Sequence, residues 1–140
     1  MEKPRITIGA IFIRNKELVV VRKEKNNMSS WILPGGKPNE RETDLDCLAR
    51  EVLEELPFLR YVGSFSHYGN VEAISPINKT PIIVRNYRFI GDSNYDIRVL
   101  GKAEEPIKEA RMLNYSEIKR LDLSEATSKL IELLRVRGVL

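Results

Sequence analysis

Between Thr43 and Pro57 the apolar residues Leu45, Leu48, Ala49, Val52, Leu53 and Leu56 recur at the three- and four-residue spacing of an α-helix. Thr43 is a good N-cap, and Asp46 three residues on makes a variant of the capping box. Pro57 disfavours helical geometry at Leu56 and cannot donate the next backbone hydrogen bond, so the helix stops there. Such a well-delimited amphipathic helix obliges the rest of the chain to supply a surface for its apolar stripe. At about 100° per residue the stripe centres on Val52. Glu51, Glu54 and Glu55 then fall together on roughly the opposite side, as neighbours at i, i+3 and i+4.

That surface reads as sheet. Residues 6–13 are rich in β-branched side chains, and Asn15-Lys16 separates them from Leu18-Val19-Val20-Val21 in the pattern of a hairpin whose strands are largely buried. Residues 24–30 are polar and turn-prone, Trp31-Ile32-Leu33 is a short apolar segment, and Pro34-Gly35-Gly36 breaks it ahead of a loop through Arg41. Residues 61–68 and 81–90 read as strands joined by a polar connection, 69–80, long enough to shape a substrate pocket. Residues 107–113 form another strand, Asn114 to Glu117 has the form of a capping box, and Ser124 caps a last helix carrying Leu130, Ile131, Leu133 and Leu134. The expected architecture is α/β, a mixed sheet with helices packed on it.

A chain of 140 residues that is 42% apolar can bury one core, so residues 1–140 are expected to be a single domain. With Cys47 and His67 each alone of its type, neither an internal disulfide nor the usual zinc site can be assembled, and any metal must be held mainly by oxygen. The net charge of +3 and the pI of about 9.0 allow phosphate-bearing small molecules and, more weakly, RNA, while demanding neither. No signal h-region follows Met1-Glu2-Lys3-Pro4, and no apolar run reaches the roughly 18 to 20 residues of a membrane span, so the expected location is cytoplasmic.

Three carboxylates crowded on one helix face repel one another unless solvent screens them or a cation sits among them. A solvated face is the ordinary explanation of a Glu-rich helix. The alternative is a hard divalent ion such as magnesium or manganese, which prefers oxygen ligands, keeps waters and bridges to phosphates. The glycine turn just ahead favours the second, because it exposes backbone groups to a ligand as glycine loops at phosphate sites do.

Gly36-Lys37-Pro38-Asn39-Glu40-Arg41-Glu42, seven further residues, and then Arg50-Glu51-Val52-Leu53-Glu54-Glu55-Leu56-Pro57-Phe58 resembles the Nudix box, G-x5-E-x7-R-E-U-x-E-E-x-G-U with U apolar. The run Trp31-Ile32-Leu33-Pro34-Gly35-Gly36-Lys37 looks like the usual entry to that box. Every defined position matches except Pro57, which stands where the family has glycine, so the turn after the helix must take another path.

The resemblance implies a Nudix-type α/β/α sandwich and a hydrolase cutting a pyrophosphate linkage in a nucleoside diphosphate derivative. Glu51, Glu54 and Glu55 would bind Mg2+, with Mn2+ as a substitute and the Gly36 carbonyl as an additional ligand. Arg50 would orient the glutamates, and Glu42 would support the loop or an outer metal. A carboxylate takes the proton of the attacking water. The family draws that base from the box or from a later loop, which sets Glu54 against Glu104, Glu105 and Glu109, with the box slightly favoured.

Arg22 aligns with a position that often holds a basic substrate-binding residue in similar enzymes, and Lys37, Gly35 and Gly36 stand where phosphate would pass; surface charges and an ordinary turn are the competing readings. Trp31, Phe65, Tyr68 and Tyr87 could stack a base, although core packing is the commoner fate of such residues. His67 is read as structural, and Cys47 as a small, partly buried side chain. The Leu-Pro-Gly-Gly-Lys entry resembles the MutT-like branch, which suggests a (d)NTP converted to monophosphate and pyrophosphate. No asparagine lies in residues 121–124, where sanitisers of oxidised guanine often carry one. ADP-ribose, another nucleotide sugar, a dinucleoside polyphosphate or an RNA 5′ end would meet the same chemistry. A non-catalytic nucleotide sensor is the reading from another class, and the intact charged positions of the box speak against it. A homodimer is common in the family, and the sequence decides nothing about it.

Overall fold

The computed structural model describes residues 3–76 and 78–140. Met1 and Glu2 of the expected amino-terminal start, and Ile77 of the expected 69–80 connection, lie outside the described residues.

The chain runs β1 (Arg5–Ile11), β2 (Ile13–Arg14), β3 (Glu17–Lys25), β4 (Met28–Ile32), β5 (Gly35–Gly36), α1 (Asp44–Glu55), β6 (Tyr61–Ile74), β7 (Pro81–Ser93), β8 (Ile107–Leu113), α2 (Tyr115–Ile118) and α3 (Glu125–Val136). One sheet has the order β5-β1-β7-β6, in which β1 and β7 are parallel and the other pairs antiparallel. In the second sheet β3 pairs antiparallel with β8 along one edge and with β2 and β4 along the other. The mixed α/β architecture expected from the sequence is the one observed.

Strands β1 and β3 are buried on both faces, which is why they read as nearly unbroken apolar runs rather than alternating ones. Ile8, Ala10, Phe12, Val19 and Val21 join a core with Leu48, Val52 and Leu56 of the α1 segment. Ile11, Leu18 and Val20 face the other way, into a core with Leu130, Ile131 and Leu134 of α3. Each fully buried Leu, Ile or Val contributes on the order of 1.5–3 kcal/mol. The helices thus clamp the sheets from opposite sides. Among the described residues no helix is long and apolar enough to cross a membrane.

Caps fall where the sequence puts them. Thr43 accepts from the Asp46 N–H at 3.1 Å, the Asn114 and Glu117 capping box opens α2, and Ser124 caps α3. Four expectations need correction. The α1 stripe is narrower than its periodicity suggests: Leu45 is 49% and Leu53 63% exposed, and Ala49 is exposed too. The run 6–13 is broken at Phe12, so the Asn15-Lys16 hairpin is made by the two-residue β2 and not by β1. The polar residues 24–30 belong mostly to a second hairpin, whose turn residues Asn26 and Asn27 take φ of 54° and 61°. Finally, β6 continues to Ile74, so half of the expected 69–80 connection is paired strand. Its polar residues Asn70 and Glu72 point to solvent from an edge strand, which hides the strand from a hydrophobicity reading.

Candidate active site

Strand β5 brings backbone, and no side chain, to one face of α1. Gly35 has φ +144°, and a Cβ there would lie 1.9 Å from the Ile8 carbonyl oxygen, so only glycine lets β5 pair this closely with β1. Gly36 faces the helix, where a Cβ would stand 2.6 Å from the Glu51 carboxyl carbon. The space beside Gly36 is taken by the Glu51 carboxylate. Glu55 Oε1 accepts from the Gly35 N–H at 2.8 Å, and the Cys47 thiol donates to the Gly36 carbonyl at 3.6 Å.

Glu55 is therefore turned inward, unlike the carboxylates of an ordinary solvated helix face. Burial pushes its carboxyl up to about 8; the Gly35 N–H pulls the other way and the charge of Glu51 adds to the rise. Burial also raises Glu51 against the pull of Arg50. Glu54 stays out, with its side chain 58% exposed. Cys47 is buried, and desolvation with the nearby Glu42 and Glu51 charges lifts its thiol to about 11, so it is a poor nucleophile.

Arg50 organises this face. Its Nε and Nη2 form a two-pronged bond with Glu42, at 2.8 and 2.9 Å, while Nη1 donates to Glu51 at 2.8 Å and lies 3.6 Å from Glu54. Nη2 also donates to the Lys37 carbonyl at 3.1 Å. The Arg50 bond and the Asn39 N–H together hold the Glu42 carboxyl down at about 2, and the bonds to Glu42 and Glu51 raise Arg50 above its ordinary value.

Glu51, Glu54, Glu55 and Glu105 line one cavity of about 290 Å³, with Lys23 and the backbone near Gly101. Glu105 reaches it from residues 94–106, which β8 carries alongside β3. Beside it lies a second cavity of about 130 Å³ between β1, β7, β4 and α3, lined by Gly9, Leu33, Gly35, Gly36, Asn86 and Thr127 among others. Lys23 lines both cavities.

The sequence-level candidates divide accordingly. Glu51, Glu54, Glu55 and Glu105 share one cavity, Gly35 and Gly36 line the other, and Arg50 braces the glutamates from outside. Arg22 is not with them: it pairs with Glu109 at 3.3 Å and Glu24 at 2.9 Å. Glu109 is further engaged by Arg111, and Glu104 is exposed and lines neither cavity. Lys37 is exposed and contributes its carbonyl to Arg50. Trp31, Phe65, Tyr68 and Tyr87 line neither cavity; Phe65 packs with Phe12, Tyr61 and Phe89 in an aromatic cluster of the core. Lys23, Asn86 and Thr127 are the functional candidates that sequence reasoning passed over.

The donor set fits a hard cation of a particular kind. Among the described residues no three acidic, histidine or cysteine side chains close on one point as a complete metal shell would. Carboxylates gathered on one side of an open, polar cavity suit an ion that keeps several waters and takes its remaining ligands from substrate phosphates, as magnesium does. Such an ion would also offset the burial of the Glu55 charge.

A family model described as NUDIX domain matches residues 3–134. No curated protein matches the chain. Among solved structures, the chain is similar to a MutT NUDIX hydrolase from Burkholderia pseudomallei, with 24% identity, a TM-score of 0.72 and coverage of 94% of this chain and 98% of that one. A MutT protein from Methanosarcina mazei Go1 gives 22% identity and a TM-score of 0.70 over 99% and 98% of the two chains. A bifunctional NMN adenylyltransferase/ADP ribose pyrophosphatase from Francisella tularensis, complexed with AMP and a manganese ion, gives 18% identity and a TM-score of 0.72 over 98% of this chain and 42% of that one.

Proposed function

Because this chain belongs to the NUDIX domain family, we propose that it is a divalent-cation-dependent pyrophosphohydrolase that converts a nucleoside triphosphate to the monophosphate and pyrophosphate. The observation that carries this reading is the pair of adjoining cavities, one lined by carboxylates and one mostly apolar, with Lys23 at the wall of both. The apolar cavity suits a nucleoside and the acidic one a cation with the phosphate chain.

Glu51, Glu54 and Glu55, with the Gly36 carbonyl, would hold magnesium, or manganese in its place. When bound, the ion supplies neutralisation of phosphate oxygens and activation of water. The chain's own groups do the rest. Lys23 places a positive charge beside the phosphates, and Arg50 holds Glu51 and approaches Glu54 so that the carboxylates keep their spacing. Glu54 takes the proton of the water as its oxygen bonds to phosphorus, and the anhydride bond to the leaving phosphate breaks. Glu105 lines the same cavity and is the competing base.

The test is a panel of nucleoside triphosphates, ADP-ribose, nucleotide sugars, dinucleoside polyphosphates and triphosphorylated RNA, incubated with magnesium and with manganese and read by mass spectrometry. A triphosphate yielding monophosphate and pyrophosphate as the best substrate supports the proposal. Preferred turnover of ADP-ribose or a nucleotide sugar would move the assignment to that class, for which the solved structure of a Shewanella oneidensis NUDIX domain complexed with ADP ribose, 15% identical with a TM-score of 0.63, is a precedent of fold. Full nucleotide affinity without metal, and no product with it, would overturn catalysis in favour of sensing.

A further inference from the structure

The smaller cavity carries a side chain that the proposed chemistry does not use. Asn86 lies in β7, directly across from Gly9 of β1, and is 1% exposed. The neighbouring positions on its face of the strand, Ile82 and Val84, are apolar and pack toward α3. A buried carboxamide among them needs partners.

Half of it has them. Nδ2 donates to the Gly69 carbonyl at 3.1 Å and to the Val84 carbonyl at 3.4 Å. The Gly69 carbonyl comes within reach at the point where the β6–β7 register slips, between His67 and Gly69. With the amide nitrogen turned to two backbone oxygens, the flip of the group is decided and Oδ1 points the other way. Among the described residues nothing donates to Oδ1, and it is not among the atoms sealed from solvent without a partner. It lies over Gly9, where a Cβ would stand 2.8 Å from it. The absence of a side chain at Gly9 leaves this acceptor open to the cavity that both residues line.

From α3, Thr127, 5% exposed, supplies a hydroxyl. Its Oγ1 accepts from the Ser124 hydroxyl at 2.9 Å, and Ser124 Oγ accepts the Thr127 N–H at 3.2 Å. Leu33, Ile82, Val84 and Leu130 supply apolar walls on which a flat ring can rest, while Lys23, Ser30 and Ser75 add polar groups to the lining.

We propose that Asn86 Oδ1 is a specificity-determining acceptor for an N–H of the substrate's nucleobase, so that bases carrying that hydrogen are preferred over otherwise identical ones that lack it. This rests on the reading of the cavity as a nucleoside subsite. A site built to receive a donor rejects the analogue without it, because its own buried polar atom is then left unpaired.

The experiment is calorimetric titration of the metal-free protein with pairs of nucleoside monophosphates that differ by one donor: AMP with purine riboside monophosphate, GMP with inosine monophosphate and with 1-methyl-GMP, and UMP with 3-methyl-UMP. Binding is read without turnover, so the result stands apart from whether triphosphates are hydrolysed. In the wild type at least one deletion of a donor is expected to weaken binding tenfold or more, and in Asn86→Leu that gap should shrink to within about twofold. Gly9→Ala, which leaves Asn86 in place but sets a methyl group over Oδ1, should close the gap in the same way and decides the matter if Asn86→Leu does not fold. Equal binding within every pair in the wild type, a gap that survives in the variants, or no binding of any monophosphate would overturn the proposal.

Discussion

The Gly35 N–H donates to Glu55 Oε1 at 2.8 Å, which ties the last turn of α1 to the backbone of the two-residue strand β5. Gly35→Ala should break this tie, because its Cβ would fall 1.9 Å from the Ile8 carbonyl at φ +144°. Strand β5 would have to move off β1 and carry the helix contact with it. We expect a loss of about 3 kcal/mol in urea unfolding, at the upper end of ordinary point mutations. An unchanged midpoint would mean that β5 tolerates displacement and that the glycine serves something else.

Glu54→Gln is expected to lower kcat by about 10²–10⁴, the usual worth of a general base. Glu105→Gln should cost less than about tenfold if Glu105 only lines the cavity. Single-turnover rates with saturating magnesium distinguish the two. A larger loss in Glu105→Gln than in Glu54→Gln would move the base out of the helix and into residues 94–106.

Acid stability should depend on the Glu42–Arg50 pair. The folded-state pKa of Glu42 is depressed, from 4.5 to about 2. Its contribution to stability is therefore complete above the unfolded value and is lost as pH falls through about 2. Thermal unfolding followed between pH 6 and pH 2 should show Glu42→Gln already destabilised at pH 6, with the difference from wild type narrowing toward pH 2. Parallel curves for the two proteins would show that the pair does not couple to folding.

What the sequence made legible was largely local. Thr43, Asn114 and Ser124 cap helices through their own side chains and the next turn, so their pattern needs no knowledge of the fold. Depth is not local. The helical repeat sets the direction of Glu55, but its carboxyl is held by the backbone N–H of Gly35, twenty residues earlier, on a strand that its pairing with β1 puts in place. The basic residues of β3 divide between two surroundings, with Arg22 paired to Glu24 and Glu109 and the adjacent Lys23 lining both cavities, and the β3–β8 ladder shifts register at a bulge between them. Glu105 joins the carboxylates only through the pairing of β8 with β3, a contact between distant parts of the chain. Asn86 gives no signal in sequence, since an asparagine within an apolar strand looks like an edge or a defect until the slip at Gly69 is seen.

Pro57→Gly should leave metal-dependent activity largely intact. Leu56 already leaves helical geometry at φ −126° and ψ 69°, and the exit is closed by the Leu59 N–H donating to the Leu56 carbonyl at 3.1 Å and by Arg60 donating to the Pro57 carbonyl at 2.8 Å. None of these bonds needs proline. A fall of more than about tenfold in rate, roughly 1.4 kcal/mol of barrier, would show that the helix exit is tuned to the site.

The two adjacent basic residues of β3 should separate cleanly in kinetics. Lys23 lines both cavities, and its charge acts on Glu51 and Glu55. Arg22 is held by Glu109 and Glu24 away from either cavity. Lys23→Ala should therefore raise KM by about tenfold, the loss of one charge-assisted contact to phosphate. Arg22→Ala should leave KM within about twofold and cost at most about 1 kcal/mol of stability, because its ion pairs are partly exposed. Steady-state kinetics on the best substrate, with unfolding curves for both variants, checks the pair of expectations together. If Arg22→Ala were the variant with the raised KM, the side chain would have to leave Glu109 to reach substrate, and the bulge between Arg22 and Lys23 would be the place where the strand gives way.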